Sequence, residues 1–68
     1  MLYRVKIKGI RWDDGKGEYD VSSFPRHTTK IVEADSVRDA VDNAMEEMSD
    51  EYSMLIEDAE SAEVEELE

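Results

Sequence analysis

The sequence predicts an α+β domain: a small antiparallel or mixed sheet, in the order β-(β)-β-α-β, covered on one face by a single amphipathic helix. Two periodicities carry that expectation. From Leu2 to Ile10 the residues Tyr3, Val5 and Ile7 alternate with Arg4, Lys6 and Lys8, the period of a half-buried strand. From Val37 to Tyr52 the apolar residues Val37, Ala40, Val41, Ala44, Met45, Met48 and Tyr52 recur at helical spacing, forming one stripe. Ser36 precedes that stripe as an N-cap, with Asp39 at the capping-box position.

Between these two elements, residues 11 to 17 concentrate turn formers, and Gly15 and Gly17 can take positive φ, so a hairpin-type connection is expected. Glu18 to Val21 offers an optional short strand built on Tyr19 and Val21, ended by Ser22 to Pro25 because proline cannot donate to a ladder. His27 to Glu33 alternates again, and register decides whether Ile31 or Val32 reaches the core. Beyond Tyr52 the pattern fits strand or helix. A strand that ends the fold is the reading adopted, with residues 57 to 68 open to fraying.

A chain of 68 residues makes one domain and buries only about 60% of the surface its unfolded form exposes. With no cysteine and one histidine it has no disulfide, and a zinc site is not expected; self-association as a homodimer is the remaining source of stability. No run approaches the ~20 apolar residues of a membrane span, and the opening residues alternate where a signal peptide would be continuously apolar. A cytoplasmic protein with no membrane contact and no cofactor is the expectation.

Charge is the most unusual feature. From Glu33 onward fifteen acids face the single base Arg38, a formal −14, whereas residues 1 to 32 carry +3, within the overall −11. On the helix, Asp39, Asp42, Glu46, Glu47, Asp50 and Glu51 lie opposite the apolar stripe. Asp42 and Glu46, Glu46 and Asp50, and Glu47 and Glu51 are like-charge i, i+4 pairs; only Arg38 with Asp42 is an opposite pair. Asp50 and Glu51 also sit in the last turn, where the macrodipole favours cations. Together these effects oppose the helix by on the order of 1–3 kcal/mol. A surface shaped only for solubility mixes its signs.

Helical residues four apart are about 6 Å apart along the axis, and one DNA strand carries a phosphate about every 3.4 Å of axis. A row of carboxylates can therefore stand in for a phosphate array. Glu57, Asp58, Glu60, Glu63, Glu65 and Glu66 are expected to add a second row. The function this predicts is that of a non-enzymatic DNA mimic whose partner is a basic DNA-binding protein, with no direct binding to nucleic acid. The bland counterpart is a solvated acidic face without a partner.

Other chemistry finds little support. Asp13, Asp14, Glu18 and Asp20 do not follow calcium-loop spacing. His27 has no cysteine to activate and no Asp-His-Ser arrangement around it, and the chain is too short for a dry cleft around paired carboxylates. Trp12 is expected to fold back over the sheet as core. Exposed instead, Trp12 and Phe24 would form the apolar working surface of an interaction module, with the acidity serving solubility. Arg4, Lys6, Lys8 and Arg11 mark a third, basic reading as a nucleic-acid binder, which the acidic second half opposes.

The run Lys30 to Ala44 resembles the strand-to-helix junction of many small phage and plasmid proteins. The order of elements is also similar to that of an archaeal-type large-subunit ribosomal protein family, but that family is basic and binds RNA, so its function is not implied. Size, acidity and topology together resemble the small host-takeover proteins of large Bacillus phages, among them DNA mimics that inhibit the nucleoid protein HU. That resemblance implies a bacterial host cytoplasm and an HU-like target.

Overall fold

The computed structural model describes residues 1 to 67 and forms a three-stranded antiparallel sheet with one helix on one face. The strands are β1 (Leu2–Trp12), β2 (His27–Glu33) and β3 (Ile56–Glu66), and the helix is α1 (Val37–Tyr52). The sheet order is β2-β1-β3, so the strand with the clearest alternation lies in the centre. Tyr3 lies opposite Val32 on one side and Glu66 on the other; Val5 lies opposite Lys30 and Val64.

Tyr3, Val5 and Ile7 are buried beneath α1, as period two requires. The buried set then changes phase to Ile10 and Trp12. The change occurs at Gly9, whose φ is +65°. Lys8 still pairs with Ser61 and Ile10 with Ala59, so β1 and β3 change phase together and keep their register. A β-carbon on Gly9 would stand 2.5 Å from Glu60 Cγ, so both the left-handed backbone and the crossing of Glu60 require glycine here. A register shift follows between Arg11 and Trp12.

The helix begins where its cap predicts: Ser36 Oγ accepts from the Asp39 N–H at 3.1 Å. It ends at Ser53, a non-glycine residue at φ +53° whose N–H donates to the Asp50 carbonyl. Ala40, Ala44 and Met48 are fully buried, and Val41, Met45 and Tyr52 pack partly against them. The small alanines let the helix backbone approach β1 and β2 closely. Val37 departs from the expected stripe: it is 55% exposed, although Ala40 in the same turn is fully buried. In β2 the register buries Val32 and leaves Ile31 outward.

One expectation needs correction. Residues 18 to 21 form no strand; Gly15, Lys16 and Gly17 all have positive φ, and Tyr19 N–H donates back to Asp14 O, curling the segment into a turn. The strand expected to end the fold is present: β3 runs continuously through Glu66, paired along β1, and Leu67 N–H donates to Leu2 O. Glu68 lies outside the described residues.

Trp12 is core. Its ring makes edge contacts with Phe24 at 5.1 Å and Tyr52 at 5.4 Å, and Nε1 donates to the Pro25 carbonyl at 2.9 Å. This cluster fastens the long connection between β1 and β2 to the end of α1.

Candidate partner-binding surface

All six helix acids are exposed. Burial of Ala40, Ala44 and Met48 against the sheet leaves Asp39, Asp42, Glu46 and Asp50 on the outward side of α1, with the exposed Glu47 on the flank toward Lys30. None of these five holds an ion pair among the described residues, and Arg38 makes none with Asp42. Glu51 differs, because Lys30 Nζ donates to its Oε2 at 2.7 Å from the neighbouring strand β2. That hydrogen bond raises the Lys30 pKa above the ordinary lysine value, against a smaller lowering by burial; the charges of Glu51, Glu47 and Tyr52 add to the rise. Lys30 thus supplies the cation that the last helical turn lacks.

The acids of β3 are also exposed, but they do not form a second free row. The sheet face away from α1 sets them beside the bases of β1. Arg4 Nη1 lies 3.1 Å from Glu65 Oε2, and Arg11 reaches both Glu57 and Asp58 at 3.1 Å. Glu63 stands opposite Lys6 in register, and Glu60 crosses over Gly9. Glu66, opposite the buried Tyr3, belongs to the helix-covered side at the sheet edge. The twelve acids singled out from sequence therefore divide into five unpaired helix acids, Glu51 engaged by Lys30, and a strand set spread over two faces and partly neutralised.

Phe24 is half-buried against Trp12 and Tyr52. With Trp12 buried and Phe24 half-buried in edge contact with it, the exposure that an apolar working surface of these two residues required is not found. In the connecting loop, the Ser22 hydroxyl and N–H both donate to Asp20 Oδ1, and the hydroxyl above all holds the Asp20 pKa below the usual carboxylate value. Among the described residues no group of three or more His, Cys, Asp or Glu side chains is placed to hold a metal ion. Among them, too, no helix is long and apolar enough to cross a membrane.

The helix row was legible because periodicity alone separates its two faces. The pairing of β3 with β1 was not, since it joins residues more than forty positions apart, as in Arg11 with Glu57. Comparison with protein-family models, curated proteins and solved structures finds no match.

Proposed function

We propose that the protein is a non-enzymatic DNA mimic whose outward helix face occupies the DNA-binding surface of a basic protein, with a bacterial nucleoid protein of the HU type as the first candidate target. One observation carries this reading: Asp39, Asp42, Glu46, Glu47 and Asp50 stand exposed on a single rigid element with no ion pair among the described residues. A helix of 16 residues is about 24 Å long, a length over which one DNA strand presents roughly seven phosphates. The row is maintained at a cost to the helix, through like-charge neighbours and acids in the last turn.

Salt would screen the attraction between these exposed carboxylates and the target's lysines and arginines, so affinity would fall as salt rises. The contribution of β3 is reduced, since Arg4 and Arg11 already engage Glu65, Glu57 and Asp58.

Fluorescence anisotropy of a labelled DNA duplex bound to HU tests this. Added protein should displace the duplex at low salt, and its direct binding to HU in the absence of DNA should weaken as salt rises. Displacement that is absent at low salt, or direct binding unchanged across the salt series, defeats the proposal.

A further inference from the structure

The face of the sheet that α1 leaves uncovered carries the bases of β1 in a line: Arg4, Lys6, Lys8 and Arg11. Its two ends are neutralised by carboxylates of β3, through Arg4 with Glu65 and Arg11 with Glu57 and Asp58. Its middle is not. Lys6 and Lys8 hold no ion pair among the described residues, and the residue β3 sets opposite Lys8 is Ser61, where the run of acids is interrupted.

On the other side β2 sets Thr29 opposite Lys6 and His27 opposite Lys8. Residues directly opposite in an antiparallel pair have Cβ atoms about 4.5–5.5 Å apart, so these four side chains form one block. Arg26 joins them, because its carbonyl accepts the Ile10 N–H at 2.8 Å and so holds the end of β2 against β1 beyond Gly9. Gly9 contributes no side chain. The result is an open depression floored by Gly9 and walled by Lys6, Lys8, Arg26, His27 and the threonines, with Glu60 as its one acid.

The concentration of positive charge is notable in a chain of net −11. Arg4, Arg11 and Lys30 are taken up in ion pairs, and of the remaining bases Lys6, Lys8 and Arg26 converge on this one place. We infer that the depression binds a small phosphate monoester, a site separate from the helix face. A compact phosphate dianion offers three strong acceptor oxygens to donors arriving from several directions, which matches two lysines, an arginine and a threonine hydroxyl. The lysine stems and the Thr29 methyl supply apolar area on which an ester group can lie. A long polyanion fits poorly, because beyond the depression it meets Glu63, Glu65 and the field of the whole chain.

An NMR titration of ¹⁵N-labelled protein at constant ionic strength tests the site, using inorganic phosphate, phenyl phosphate, acetate and a single-stranded oligothymidylate as separate probes. The two phosphate probes should give saturating shifts at the amides of Lys6 to Gly9 and Arg26 to Thr29, and acetate only small linear ones. Lys6→Gln/Lys8→Gln/Arg26→Gln should weaken phosphate binding by about tenfold or more, since charge-assisted hydrogen bonds are lost. Arg4→Gln, on the same face but already paired, should leave it nearly unchanged. All of these side chains are exposed, so an unaltered spectrum elsewhere confirms that each variant is folded. The inference is overturned if phosphate shifts match those of acetate, if the triple variant binds as well as the parent, or if the oligonucleotide binds more tightly than either phosphate probe through the same residues.

Discussion

Lys30 Nζ donates to Glu51 Oε2 at 2.7 Å, joining β2 to the last turn of α1 across 21 positions of sequence. The pair compensates a helix terminus that carries Asp50 and Glu51 and has no base of its own. It also marks the boundary of the acidic face: on one side the carboxylate is engaged within the fold, and on the other the row from Asp39 to Asp50 is free.

Glu51→Gln should lower stability by about 0.5 kcal/mol, the scale of a partly exposed ion pair. Because the folded-state pKa of Lys30 is raised, the pair's contribution is fully present below the unfolded lysine pKa of about 10.4 and is lost as pH rises through the raised value. Urea unfolding of parent and variant across alkaline pH should therefore show two stability curves that converge at the alkaline end. A constant offset there would show that Glu51 acts by some route other than its Lys30 partner.

Gly9→Ala should cost about 1–3 kcal/mol, the range for a non-glycine residue forced into a left-handed conformation. Adding Glu60→Ala should recover only part of this, since Glu60 Cβ itself would lie 2.7 Å from the new methyl. Complete recovery in the double variant, read by denaturant unfolding, would mean that side-chain crowding alone explains the glycine.

Met48→Ala should destabilise by about 2–5 kcal/mol, since Met48 is 2% exposed and lies between the helix and sheet. In so small a domain that is a large share of the total. Val37→Ala, by contrast, should change the thermal midpoint little, although both residues belong to the same apolar stripe in sequence.

What the sequence disclosed was local. Alternation from Tyr3 to Ile7 and the stripe from Ala40 to Tyr52 each announce an element and its buried face, and Ser36 announces where the helix starts. Gly9 interrupting a strand was itself a sign of a bulge or bend, but the phase change to Ile10 and Trp12 depends on β3 changing phase beside it. The neutralisation of Glu65, Glu57 and Asp58 likewise depends on which strands become neighbours. Period two says that a strand has two faces. It does not say whose side chains share them.

In the proposed function the free row on α1, and not the acids of β3, binds the target. Isothermal titration calorimetry against HU at low salt should compare Asp39→Asn/Asp42→Asn/Glu46→Gln/Glu47→Gln/Asp50→Asn with Glu57→Gln/Glu60→Gln/Glu63→Gln/Glu66→Gln. The helix variant should lose binding while its thermal stability rises, as like-charge pairs are removed, and the strand variant should retain most of the affinity. Equal loss in both variants, or retention in the helix variant, would contradict it.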